Sequence, residues 1–96
     1  MFFSLIFFFS CNKDGDVFLR VENLRDFEIE NLKIGNLEYG NIKPNETSEY
    51  KQINTGTFTA SYTMNGRDLA GEVETWGAGN LKMQIQNNGE LVFIDE

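Results

Sequence analysis

Residues 57–64 alternate without a fault, Phe58, Ala60, Tyr62 and Met64 against Thr57, Thr59, Ser61 and Thr63. A period of two places one set on each side of a pleated strand. Asn65-Gly66 follows at once. This pair favours a two-residue type I′ hairpin turn, in which both positions need φ > 0. The return strand is expected over 67–74, with Leu69 and Val73 in phase and Gly71 between them marking a bulge or a close approach. No stretch of eleven or more residues from 17 to 96 carries helical periodicity. A chain written this way can bury its apolar residues only as the inner faces of strands.

The rest of the chain repeats the pattern in shorter pieces. Val17, Leu19 and Val21 share one face of a first strand over 17–21. Phe27 and Ile29 share a face, and Leu32 and Ile34 take the opposite phase, so a β-bulge is expected near Glu30-Asn31. Leu37, Tyr39 and Ile42 form a third segment, and Pro44-Asn45 turns the chain. A polar, edge-type strand is expected over 47–53, and a Gly-rich loop over 75–80 holds Trp76. Leu81, Met83 and Ile85 alternate with Lys82, Gln84 and Gln86. After the turn at Asn87-Asn88-Gly89, the continuous apolar run 91–94 suggests a strand buried on both faces. Eleven Asn and nine Gly cut these segments apart, which is turn chemistry. The expected fold is all-β, a small antiparallel β-sandwich of about seven strands, immunoglobulin-like or transthyretin-like, with a small β-barrel as the alternative. The Cys…Trp…Cys signature of true immunoglobulin domains is absent from the sequence.

The first ten residues, MFFSLIFFFS, do not belong to that pattern. They are too short for a transmembrane helix, which needs ~20 apolar residues. Their length suits the apolar region of a secretory signal peptide, and a basic segment is then expected upstream of Met1. Phe8-Phe9-Ser10-Cys11 resembles a bacterial lipobox, in which a small residue precedes a Cys that receives diacylglycerol. Phe9 stands where a small residue is usual. Asn12-Lys13-Asp14-Gly15-Asp16 resembles the acidic stretch that follows this Cys in lipoproteins of Bacteroidetes. Val21 to Asn23, Tyr39-Gly40-Asn41-Ile42, Pro44, Glu46-Thr47-Ser48 and Tyr50 are similar to segments of small lipoproteins of that group. The resemblance implies residues 1–10 as signal peptide, Cys11 as the lipidated residue and Lys13, Asp14 and Asp16 as an export signal. It further implies a short tether over 11–16, a β-domain over 17–96 and an outer-membrane address, extending to the cell surface. It brings no activity.

Several chemistries drop out. There is no His, so Ser48 and Ser61 have no imidazole base. The single Cys cannot close an internal disulfide. A net charge of −7 offers no basic stripe for nucleic acid. Asn12, Asp14 and Asp16 have the spacing of a calcium loop, but Val17 and Asn23 stand where Gly and Glu are needed. Gly77-Ala78-Gly79 lacks the GK[ST] ending of a phosphate loop. Paired carboxylates remain at Glu28/Glu30, Glu72/Glu74 and Asp95/Glu96, and solvated strand faces account for them. No catalytic residue, cofactor or metal is expected.

Trp76 and Tyr39 are the candidate ligand-binding aromatics, able to stack on a sugar or anchor a protein. A domain with few large residues needs its only Trp inside, so the preferred expectation is that Trp76 folds back to close one end of the core. Tyr62, in phase with Phe58, is expected in the core. Only residues 12–16 separate Cys11 from the first strand, a reach of about 17 Å at most. The leading expectation is a non-catalytic, lipid-anchored binding or accessory module for an envelope protein or a glycan. A small inhibitor of an envelope enzyme and, least favoured, a carboxylate-based hydrolase are the alternatives.

Overall fold

The structure, a computed structural model, describes residues 16–96. Cys11, Lys13 and Asp14 lie outside the described residues. Eight strands follow in order: β1 (Val17–Asn23), β2 (Ile29–Ile34), β3 (Leu37–Ile42), β4 (Lys51–Ile53), β5 (Gly56–Met64), β6 (Arg67–Thr75), β7 (Gly79–Ile85) and β8 (Leu91–Asp95). They form two four-stranded sheets, β4-β1-β7-β8 and β3-β2-β5-β6. Neither sheet closes on itself, so the arrangement is a sandwich and not a barrel. The immunoglobulin arrangement puts its first, second, fourth and fifth strands on one sheet. Here the first and second strands lie on different sheets, so the strand order departs from the immunoglobulin arrangement.

The alternating segments behave as their period demands. Val17, Leu19 and Val21 of β1 and Met83 and Ile85 of β7 are fully buried, with Leu81 nearly so. Ala60, Tyr62 and Met64 of β5 face them from the other sheet, and Phe58 is partly buried against the same core. The β5–β6 hairpin pairs in unbroken register from Gly56↔Thr75 to Met64↔Arg67. Asn65 and Gly66 at its tip take φ of 52° and 78°, as a type I′ turn requires. The slip in β2 is also present. Its pairing shifts register between Ile29 and Leu32 against β3 and between Glu30 and Lys33 against β5. Asn31 at the slip takes φ 55°, and the extra residue lets Ile29, Leu32 and Ile34 all face inward.

Other expectations are corrected. β1 and β7 run parallel, so the first sheet is mixed. Parallel neighbours need a long crossover, and here the whole second sheet supplies it. The polar segment 47–53 is a strand only over Lys51–Ile53, at the sheet edge, with Thr47 making one isolated bridge to Glu22. Gly71 is not a bulge, because its pairing with Ala60 is regular. It is a close approach, since a Cβ there would meet Leu91 Cδ1 at 3.2 Å. β8 is an edge strand with one buried face. Leu91 and Phe93 pack on the core, whereas Val92 and Ile94 lie opposite Gln84 and Lys82 on the outer side, more than a third exposed. Phe27 is not in a strand but in the β1–β2 loop, with half its surface in solvent.

Candidate functional site

The strand registers define two ends. Val17 pairs with Ile53 and Gly79, so the N-terminal segment joins the sandwich beside the β6–β7 loop. Asp16 is exposed there, and its carbonyl accepts from Gly79 N at 3.1 Å. At the opposite end, β1 finishes at Asn23 beside Ile85, and the β1–β2, β5–β6 and β7–β8 connections come together.

Trp76 lies in the loop at the first end but does not enter the core. It is 49% exposed and sets its ring edgewise against Phe93, 6.1 Å between centroids at 63°. The loop is short, Trp76 to Ala78, and both Gly77 and Gly79 have positive φ. Trp76 therefore lies over the partly buried Phe93 rather than between the sheets. Tyr39 is placed in the core, far from Trp76 in role. Its hydroxyl donates to Leu19 O at 2.8 Å, pinning one sheet to the other, and burial pushes that hydroxyl above its ordinary pKa.

The acid pairs are distributed as follows. Glu72 and Glu74 project beside Thr59 and Thr57 on the solvent side of β5–β6. Glu28 precedes β2 and Glu30 lies exposed within it. Glu96 sits in a surface cluster on the outer face of the first sheet. Arg20 donates to both its carboxylate oxygens, at 2.8 and 2.7 Å, and the Tyr50 hydroxyl donates at 2.5 Å. The Arg20 guanidinium also lies 4.7 Å from the Tyr50 ring centre. The Arg20 hydrogen bonds first, and then that of Tyr50, hold the Glu96 carboxyl down to about 2. Lys82 bridges Glu22 at 3.4 Å and Glu96 at 3.8 Å. These charges are satisfied by one another. Among the described residues no three potential metal ligands gather.

The opposite end holds a groove of about 550 Å³, within the range of small-molecule sites. Arg25 and Phe27 reach it from the β1–β2 loop, Tyr62 and Arg67 from the hairpin, and Asn88 and Glu90 from the β7–β8 turn. The loop is organised by Asn23, fully buried. Its Nδ2 donates to Phe27 O and to Ile42 O, both at 2.9 Å, and its Oδ1 accepts from Arg25 N at 2.8 Å. A buried amide has to find such partners, and here each one is loop or strand backbone. The Arg25 and Phe27 side chains are left free for the groove.

Arg25 is also seated from behind. A Cβ on Gly89 would stand 3.1 Å from the Arg25 guanidinium, so glycine at this turn, at φ 93°, makes the room. The Tyr62 hydroxyl lies 3.5 Å from the same group, a long contact. Arg67 stands opposite Met64 at the start of β6. The nearby Asp68 carboxylate accepts instead from the Thr63 hydroxyl, at 2.9 Å. The three ion pairs among the described residues all involve Arg20 or Lys82, so neither groove arginine has a carboxylate partner there.

Reading the sequence missed this groove, because its residues come from three separate connections. One signal was available. Asn23 continues the inward phase of Val17, Leu19 and Val21, and a polar residue at an inward position announces a buried hydrogen-bonding role. No protein-family model matches the chain, and no curated protein matches it at a significant level.

Proposed function

We propose that this chain is a lipid-anchored lipoprotein of a bacterial envelope, of outer-membrane address, acting as a non-catalytic binding module. The single observation that carries the binding part is the position of the groove. It opens at the end of β1 away from the N-terminal segment, about 20 Å along seven extended residues. A tether of residues 12–16 would hold the opposite end close to the bilayer and leave the groove facing outward. The lipobox-like Phe8-Phe9-Ser10-Cys11 and the acidic stretch with Lys13, Asp14 and Asp16 support the anchor. Two or more acyl chains make such an anchor stable.

The test is the mass of the N-terminal peptide from the membrane fraction of cells expressing the native gene. The expected product begins at a Cys11 carrying acyl chains. Cys11→Ala is expected to release the protein from membranes or block its maturation. A normally processed Cys11→Ala protein that stays on the membrane would overturn the anchor.

A further inference from the structure

The chemistry of the groove narrows what it can hold. Arg25 and Arg67 are donors only, permanently charged, and free of carboxylate partners within the described residues. In a chain of net charge −7, two such guanidiniums on one concave surface select for an anionic group at short range. The longer-range field does not help, since it is screened within ~8 Å at physiological salt and has the wrong sign.

The remaining lining sets a second condition. Glu90 stands on the same groove, with its backbone held by bonds from Glu90 N to Asn88 Oδ1 and from Gln86 N to Glu90 O. A carboxylate here accepts hydrogen bonds from hydroxyl groups and repels a second carboxylate. The Asn88 amide has its oxygen engaged by Glu90 N, which leaves its NH2 as a donor. Phe27, half exposed, and Leu69 add an apolar surface. A ligand that suits all of these carries one carboxylate, several hydroxyls and an apolar face of C–H bonds. A polyacidic peptide meets the arginines but not Glu90. A neutral sugar meets Glu90 and Phe27 but leaves the arginines unanswered.

We infer that the groove formed by Arg25, Phe27, Arg67 and Glu90 binds a uronic-acid residue of a glycan. Arg25 and Arg67 take its carboxylate, Glu90 and Asn88 take hydroxyls, and Phe27 lies against the ring face. This rests on the reading of the chain as a binding module and names the ligand class of that same site. Asn23 is a positioning residue, because its side chain bonds only backbone groups, at Arg25 and Phe27 in the loop and at Ile42 in β3.

The experiment is calorimetric titration of the full chain with short oligosaccharides that carry a single uronate, of galacturonate and unsulfated glucuronate types. Short probes are chosen because a long polyanion would be repelled by the acidic protein. Each is compared with its carboxylate methyl ester and with an oligo-glutamate peptide. Binding to one uronate probe is expected, and esterification should weaken it about tenfold or more, the value of a charge-assisted hydrogen-bonded pair. Arg25→Gln and Arg67→Gln should each weaken it to a similar degree, and Phe27→Ala by about threefold to tenfold. Lys33→Gln, on the outer face of β2, should leave it unchanged. The ester comparison needs no protein variant, so a folding defect cannot mimic the result. Equal binding of acid and ester, or uronate binding indifferent to both arginines, overturns the inference. Arginine-dependent binding of oligo-glutamate without uronate binding overturns the ligand class and leaves the module standing. No binding of any probe overturns the inference and leaves the module reading standing, because that reading rests on the position of the groove.

Discussion

Each end of the sandwich is tied by one buried polar side chain, and the two ties differ in kind. Where the N-terminal segment joins, Thr75 donates its hydroxyl to Asn54 O at 2.7 Å and receives Gly56 N at 3.1 Å. That joins the β4–β5 connection to the end of β6 and goes no further. At the other end, Asn23 makes three bonds to three separate backbone groups. Its own backbone adds two more, from Asn23 N to Glu46 O and from Asn45 N to Asn23 O. A hydroxyl has one proton to give, whereas an amide has two and an acceptor besides. The amide can therefore set the path of a whole loop without using that loop's side chains. Trp76, beyond the Thr75 tie, settles against Phe93, while Arg25 and Phe27 are held by their backbones and face the groove. Recognition loops gain from ties of this second kind, because a rigid scaffold then presents free side chains.

The contrast can be broken most directly at Asn23. Asn23→Ala strips partners from Arg25 N, Phe27 O and Ile42 O and should cost about 3 kcal/mol of stability, since each buried unmet group costs ~1–3 kcal/mol. Urea unfolding measures it, and a loss under about 1 kcal/mol would show that the loop is held by something else. Thr75→Val sharpens the comparison from the other side. It removes one donor and one acceptor at a nearly closed site, 1% exposed, and should cost about 1.5 kcal/mol. A loss as large as that of Asn23→Ala would erase the distinction between the ends.

The hairpin tip is a smaller contributor to the groove end. Gly66 sits at φ 78°, and a Cβ added there would meet no atom within 4 Å. Gly66→Val is therefore penalised by backbone conformation alone, about 1 kcal/mol. Unchanged unfolding would separate this turn from the rigidity of that end. The smallest effect concerns neither tie. Glu96 has its carboxyl pKa lowered from 4.5 to about 2 by Arg20 and then Tyr50. A depressed folded pKa means that its contribution is present above pH 4.5 and is lost as pH falls towards 2. Carboxyl resonances followed by NMR should show Glu96 titrating late, and Arg20→Gln should return it upward.

Much of the fold was legible because each strand signal is local. The alternation in β5, the Asn65-Gly66 turn and the slip at Asn31 all appear in the structure where the pattern put them. The run Leu91 to Ile94 misled, because four apolar residues in a row look the same in a central strand and in an edge strand. Val92 and Ile94 are exposed because they lie on the outer side of the sheet, opposite Gln84 and Lys82. Phe27 misled for a similar reason. Its spacing from Ile29 suits a strand, but Asn23 draws the Phe27 carbonyl into a loop. The groove was illegible because Arg25, Arg67 and Glu90 are far apart in sequence and become neighbours only through sheet pairing.

By itself the sequence determined that this chain is all-β, which residues face inward along most strands, and where several turns fall. It carries the lipobox-like segment as well. These follow from period-two alternation and from the few residues that accept positive φ, both properties of neighbouring residues. The tertiary structure decided that β1 lies parallel to β7, that β8 is an edge, and that Trp76 stays half in solvent. It also decided that two arginines with no carboxylate partner among the described residues share a groove at the end remote from the N-terminal segment. Those outcomes depend on which strands pair across long separations, and no local pattern of residues encodes that choice.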